Sequence, residues 1–371
     1  MRLADLPTPC LVLDRRVLER NVDRMARAVG SLGVPLRPHM KTAKSIDVAR
    51  MVLANPQAPT TGITVSTLAE AEYFSGHGIN DILYAVGITP QKLDQVAKLN
   101  AAGAAVKVIT DDLDMARAIA AHPGRMQALI EIDCGEMRGG IAADDESLEA
   151  IGQALGDRLA GIMTHAGHSY SARSVAQMAD IAEAERTAAL TATRRLRAAG
   201  LECPMVSVGS SPTALHARAL GGVTETRPGV YMFGDLFQAE IGTVEPDGIA
   251  VTVLASVIGR RPAERRIVID AGGMALSKDR STEAAPHDFG FGLVLDMLGR
   301  RSYGNSLVAR ANQEHGVVNL DPAATVPDFR IGDRVRVAPN HTCMTSAAHD
   351  RYFVVDGGDE VVAVWPRISG W

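Results

Sequence analysis

Between residues 33 and 235 a short β-rich run is followed, repeatedly, by a stretch with helical spacing. The strand-like runs are Gly33–Met40, Gly62–Leu68, Asp81–Val86, Ala105–Thr110, Met126–Asp133, Leu159–Gly167, Met205–Ser210 and Val223–Asp235. Most are compact apolar runs rather than alternating ones, as in Asp81-Ile82-Leu83-Tyr84-Ala85-Val86, which suits parallel strands buried on both faces. The stretches between them carry helix end signals. Thr89-Pro90 supplies a cap and a first-turn proline, Ala101-Ala102-Gly103 closes that helix, and Ser174 to Gly200 spans the longest one. Eight alternations predict a closed (β/α)8 TIM barrel. No GxGxxG follows the first run, which argues against an open dinucleotide-binding sheet.

From about residue 246 the pattern changes. Ile249–Val257, Arg266–Ala271, Ser306–Ala311, Asp333–Ala338 and Arg351–Pro366 are β-branched runs separated by Gly, Pro and Asp turns, and Asp356-Gly357-Gly358-Asp359 reads as a hairpin turn. This is an all-β C-terminal domain. Cys10–Asp14 is a strand that precedes the barrel count and is expected to pair into it. The expected division is therefore a barrel over 22–245 and a β domain made of 1–21 and 246–371.

Composition narrows the class. Of 371 residues 46% are apolar and 22% charged, and 38 Lys+Arg against 43 Asp+Glu give a net charge of −5. There is no concentrated basic face of the kind that nucleic acid or an anionic membrane surface requires. No apolar run is long enough to span a bilayer, and the N-terminus lacks a signal-peptide core. A cytoplasmic location is expected. The four cysteines have no paired spacing and need no disulfide framework.

In a closed barrel the chemistry sits at the C-terminal ends of the strands. The first run ends Arg37-Pro38-His39-Met40-Lys41, and Pro38 cannot donate to a ladder, so His39 and Lys41 fall at the mouth on one face of an extended chain. An amine beside an imidazole and other cations suits an imine former or a base. The seventh run ends Gly209-Ser210-Ser211-Pro212 and the eighth Arg227-Pro228-Gly229-Val230. Barrels commonly bind phosphate with the loops after these two strands. A mouth lysine opposite a phosphate cradle points to pyridoxal phosphate. Arg138 after the fifth run, or Tyr170 after the sixth, could meet the pyridine ring, and His165 lies on the same rim. In the tail, His341 and Cys343 would project from one face of an extended segment, a zinc-favouring pair that leaves coordination positions open.

Taken together, Arg37-Pro38-His39-Met40-Lys41-Thr42-x-Lys44, Thr164-His165-Ala166-Gly167, Gln313-Glu314-His315-Gly316 and Pro339-Asn340-His341-x-Cys343 resemble the D-serine and D-threo-3-hydroxyaspartate dehydratase group. These are pyridoxal-phosphate enzymes of the alanine-racemase fold (fold type III), related to D-threonine aldolases. The resemblance runs over nearly the whole chain. It implies that Lys41 carries the cofactor and then serves as the Cα base. It implies a divalent metal on His341 and Cys343, zinc or else manganese or cobalt. It places either Tyr170 or Arg227 at the pyridine nitrogen. It also implies a homodimer, with the active site formed by the barrel of one subunit and the β domain of the other. The implied reaction eliminates water from a D-3-hydroxy amino acid to give a 2-oxo acid and ammonia. The alternatives are retro-aldol cleavage to glycine and an aldehyde, and a non-catalytic cofactor-binding protein. Ala43 departs from the histidine that serine dehydratases often carry between the two lysines.

Overall fold

Ile63–Val65, Asp81–Gly87, Ala105–Thr110, Gln127–Asp133, Leu159–Thr164, Met205–Val208 and Glu225–Thr226 stand side by side as parallel strands, in chain order. This is the sheet of a computed structural model that describes all residues from Met1 to Trp371. The expected first strand is irregular, because Pro35 and Pro38 cannot donate to a ladder. Its remaining amides still bond to both sides: Leu36 N to Pro59 O and Met40 N to Thr64 O, but Arg37 N to Thr226 O and His39 N to Pro228 O. Leu36 bridges Thr60 on one flank and Thr226 on the other, which closes the ring at eight. The expected eighth strand is realised only as Glu225–Thr226, since Pro228 ends the ladder and a 3-10 turn begins at Val230.

An ion-pair network fastens the closure. The guanidinium of Arg37, 1% exposed, donates through Nε to Glu225 Oε2 at 2.7 Å and through Nη2 to Asp81 Oδ2 at 3.0 Å. Lys107 Nζ adds a second cation to Asp81 at 2.8 Å. Burying these charges is costly unless every partner is in place, and here the first strand is tied to the third and the eighth. Leu83, Ile109, Leu129, Ala160 and Met163 form an apolar cluster across the third to sixth strands. Helices begin where the sequence supplies caps: Thr67, Asp112, Ser174 and Ser210 accept from the amides of Glu70, Met115, Gln177 and Thr213, each worth about 1 kcal/mol.

The chain divides into two units: Asp23–Lys41, Ala49–Gly229 and Gly370–Trp371 form one, and Met1–Val22, Thr42–Val48 and Val230–Ser369 the other. In the second unit Val251–Arg261, Arg334–Ala338, Leu293–Leu295, Leu307–Ala311, Gly316–Asn319 and Arg266–Ile269 form an antiparallel circuit that returns to its starting strand. A register shift between Val257 and Gly259 lets the long first strand serve both neighbours. Cys10–Asp14 pairs antiparallel with Val251–Leu254 and parallel with Arg351–Val355, whose hairpin partner is Val361–Pro366. No helix is long and apolar enough to cross a membrane.

Candidate active site

At the barrel mouth, the backbone N–H of Lys41 donates to Nδ1 of His39 at 3.4 Å. Nδ1 must then be an acceptor, so a neutral His39 carries its proton on Nε2. Burial, followed by the charges of Lys41 and Arg227, holds its pKa well below the ordinary imidazole value. His165 is the opposite tautomer. Its Nδ1 donates to the carbonyl of Gly209 at 3.0 Å, which leaves Nε2 as a lone pair. Burial, then Lys41, pushes this imidazole down to about 3. Two neutral imidazoles of opposite polarity therefore share the mouth with the exposed Lys41 ammonium, which has no carboxylate partner.

Arg227 lies beneath them, 4% exposed. Its Nη1 donates to Ser207 Oγ at 2.7 Å and its Nη2 to the Thr164 carbonyl at 2.6 Å. Ser207 in turn donates to Glu225 Oε1, the carboxylate that also holds Arg37. Burial lowers the Arg227 pKa, against the charges of Glu225, Glu185 and Glu131. Arg138 is exposed on the loop after the fifth strand, near enough to influence Glu131 and His165. Tyr170 sits half-buried on the 3-10 turn Gly167–Ser171, and Arg173 donates to its carbonyl.

The glycines mark close approaches. Gly209 has φ +115°, and a Cβ there would lie 3.0 Å from the backbone nitrogen of Arg227. A Cβ on Gly229 would lie 2.8 Å from the His39 carbonyl. The expected phosphate-binding amides of Gly209 and Ser210 are already engaged, by Glu185 Oε1 and Thr213 Oγ1. The buried N–H of Gly229 has no partner, nor do the buried hydroxyls of Thr64 and Thr226. Buried donors without partners are rare in folded proteins. An anionic, hydrogen-bonding cofactor fits this donor set of unspent N–H and O–H groups among Lys41, Arg227 and Arg138. Val230 opens the other unit, as the first residue of a buried 3-10 turn.

In that other unit, Asn340 fixes the approach to the second expected site. Its amide donates to the Gly290 carbonyl at 2.5 Å and accepts from Thr282 at 2.8 Å. His341 and Cys343 are not on an extended run as expected. His341 is the N-cap of the short helix Thr342–Ser346, which forms because Asp235 accepts the Thr342 amide at 3.0 Å. The cap geometry nevertheless brings the imidazole and the thiol within hydrogen-bond reach. His341 Nδ1 donates to Asp279 Oδ2 at 3.1 Å. That bond aims Nε2 away from the carboxylate and leaves it as the ring nitrogen that a metal could take in place of a proton. Burial disfavours charge on His341, but Asp279 and the Cys343 sulfur override it and raise its pKa. Asp279 is held down to about 2, against burial, by its bonds from His341 and Ser281. The hydroxyl of Thr42 lies 3.2 Å from Cys343 Sγ. No third His, Cys, Asp or Glu completes a cluster, so imidazole, thiol and a carboxylate behind the imidazole fit an open two-ligand metal site.

Asp279, Glu185, Ser207 and Glu225 are functional candidates that the sequence reading missed. Asp279 is 62 positions from His341, with no local signal. Glu185 did carry one: it interrupts the buried stripe Met178, Ala182, Ala189, Ala192, Leu196 of the helix Val175–Ala198, at helical spacing.

Comparison with known proteins agrees with this geometry. Residues 13–236 match the family model "Alanine racemase, N-terminal domain", and residues 250–355 match "Putative serine dehydratase domain". The D-threo-3-hydroxyaspartate dehydratase of Delftia sp. strain HT23 is 44% identical over 100% of this chain and 99% of that protein. Its solved structure superposes with a TM-score of 0.95 at 43% identity, covering 100% of both chains. A cysteine-to-alanine variant of that enzyme has been solved in a metal-free form, also at a TM-score of 0.95. A D-serine dehydratase of Dictyostelium discoideum is 28% identical over 99% of this chain and 98% of its own length. A D-threonine aldolase of Arthrobacter is 30% identical over 96% of this chain and 91% of its own length.

Proposed function

The chain belongs to the alanine-racemase-fold family whose C-terminal part is the serine dehydratase domain, and from that premise we propose that it is a dehydratase of D-3-hydroxy amino acids, with D-threo-3-hydroxyaspartate as its substrate. The net reaction removes a proton from Cα and hydroxide from Cβ. The released enamine then takes up water to give a 2-oxo acid and ammonia. The observation that carries this reading is the His341–Cys343 pair with Asp279 behind the imidazole, because elimination of so poor a leaving group as hydroxide calls for an acid at the β-oxygen.

Pyridoxal phosphate held by Lys41 would supply an electron sink at Cα, and a divalent metal on His341 and Cys343, with zinc best suited to this donor pair, would supply a Lewis acid at the β-oxygen. Lys41 has two tasks. Its Nζ would hold the cofactor and, when free of it, would accept the Cα proton. The free N–H of Gly229 would be available to the phosphate, with Gly209 and Ser210 allowing close backbone approach. Arg227, buried and fixed by Ser207 and Thr164, rather than Tyr170 on its half-exposed turn, would hold the ring nitrogen. A guanidinium keeps its own proton, so charge stabilisation at the departing oxygen carries more of the barrier. His165 Nε2 offers an acceptor, and His39 Nε2–H a donor, to the substrate's polar groups. The protein acts as a homodimer, a point that sedimentation checks directly.

The deciding experiment supplies D-threo-3-hydroxyaspartate, D-serine and D-threonine to cofactor- and metal-loaded protein, with and without a chelator. Ammonia and a 2-oxo acid in equal amounts, lost on chelation, support the proposal. Glycine and an aldehyde would replace it with the aldolase reaction. No consumption of any of the three would leave a cofactor-binding protein without turnover.

A further inference from the structure

A second cavity, of about 460 Å³, opens in the unit that contains His341 and Cys343. Its wall is apolar where Leu236, Phe289, Leu293 and Leu295 face it, its cations are Arg20, Arg300, Arg301 and Arg336, and Asp14, Glu240 and Asp247 line it as well. None of these cations belongs to the machinery described above, and Arg20 and Arg301 are already engaged, by Asp247 and by Gly304 and Asn305.

Arg336 is the unusual one. It occupies a strand position flanked by Val335 and Val337 and is itself 2% exposed. Only Nε is spent, on Thr252 Oγ1 at 2.7 Å. The two terminal nitrogens make no hydrogen bond and no ion pair within 4.0 Å, although Asp14 and Asp296 are near enough to favour the charge. Gly299 lies against the guanidinium so closely that a Cβ there would be 2.8 Å from Nη1. A guanidinium that is almost wholly buried, reaches solvent only through the cavity and has four N–H bonds that no protein group accepts is costly to keep, and a leucine at this position would fill the same space without that cost. The exposed Arg300, whose side chain makes no hydrogen bond or ion pair, adds a second positive charge without a partner.

We propose that this cavity is a binding site for a small carboxylate with an apolar body, whose carboxylate takes a bidentate bond from Arg336 while its chain packs on Leu236, Phe289, Leu293 and Leu295. Planar guanidinium and carboxylate match in geometry, and such charge-assisted pairs are the stronger hydrogen bonds. The volume falls within the usual range for a small-molecule pocket. This inference is independent of the reaction proposed above, since no residue is shared.

The probe is octanoate, titrated calorimetrically into the full-length, cofactor- and metal-loaded protein, with octan-1-ol as the uncharged control. Saturable one-to-one binding is expected, weakened about tenfold or more by Arg336→Leu and unchanged by Lys41→Ala. Octanol is expected to bind more weakly than octanoate. Leu295→Trp, which fills the cavity and leaves the guanidinium in place, should abolish binding and keeps the test open if Arg336→Leu fails to fold. Absence of saturable binding, equal binding to Arg336→Leu or Leu295→Trp, or loss of binding in Lys41→Ala would overturn the proposal. So would an Arg336→Leu protein that has lost its oligomeric state, because the guanidinium would then serve an interface between copies.

Discussion

Cys343 Sγ lies 3.2 Å from the hydroxyl of Thr42, the residue that follows Lys41 in the chain. Thr42 is fully buried, so its hydroxyl has little freedom to turn to water. If Cys343 ligates a metal as the thiolate, Thr42 must donate to the sulfur, and a hydrogen bond to a ligand sulfur tunes both its position and its charge.

Thr42→Val keeps the shape and removes the donor. Metal affinity is expected to fall roughly tenfold, read by competition with a coloured chelator, with cofactor absorbance unchanged. Cys343→Ala should abolish turnover while leaving that absorbance intact, and Lys41→Ala should remove both. A Cys343→Ala protein that remains active in chelator would end the metal assignment.

Asp279→Ala removes the acceptor that fixes the His341 tautomer. The imidazole can then rotate or protonate the wrong nitrogen, and metal affinity should fall about 10–100-fold. Asp279→Asn retains a carbonyl acceptor at the same distance and should lose less. Equal affinity in wild type and Asp279→Ala would remove Asp279 from the site.

The barrel was legible because its strands are buried on both faces and read as solid apolar runs. The same logic failed at Gly316–Asn319 and Leu293–Leu295, which are too short to stand out from their flanking loops. That Lys41, His165 and Arg227 gather at the barrel mouth was legible from their place at strand ends. Their supporting carboxylates were not, because Glu185, Glu225 and Asp279 reach their partners through the tertiary fold. The helical turn at Thr342–Ser346 was also hidden, since the group that caps its first amide, Asp235, is 107 positions away.

Glu185 offers a stability test. One of its oxygens accepts the amides of both Ala166 and Gly209, so it fastens the loops after the sixth and seventh strands. Glu185→Leu would leave two buried N–H groups unpaired, at a cost of about 3 kcal/mol, read as a lower urea midpoint. Glu185→Gln keeps one acceptor oxygen and should lose less than half of that. A leucine variant as stable as wild type would show that water replaces the carboxylate.

Ser207→Ala removes the hydroxyl that bridges Arg227 and Glu225. The Glu225 oxygen loses its donor and the guanidinium loses one of its two anchors. Stability should drop by about 1–3 kcal/mol, and cofactor affinity should fall together with it. Loss of stability with unchanged cofactor affinity would make Arg227 a structural residue and return Tyr170 to the ring nitrogen.

The two mouth histidines make stability depend on acid. Both have a folded-state pKa below the ordinary imidazole value of 6.5, His165 at about 3. Below 6.5 the unfolded chain therefore binds more protons than the folded one, and acid favours unfolding. Their contribution is fully present above about pH 6.5 and is lost progressively in acid, for His165 as pH falls toward 3, at about 1 kcal/mol per pH unit. Carboxylates titrate over part of this window as well, so the informative quantity is the difference between wild type and His165→Asn. Asparagine can still donate to the Gly209 carbonyl but takes up no proton. Urea midpoints measured between about pH 6.5 and 4.5 should fall less steeply in the variant. Parallel pH dependences in the two proteins would mean that His165 is already charged in the folded state, and its lone pair at Nε2 would not exist.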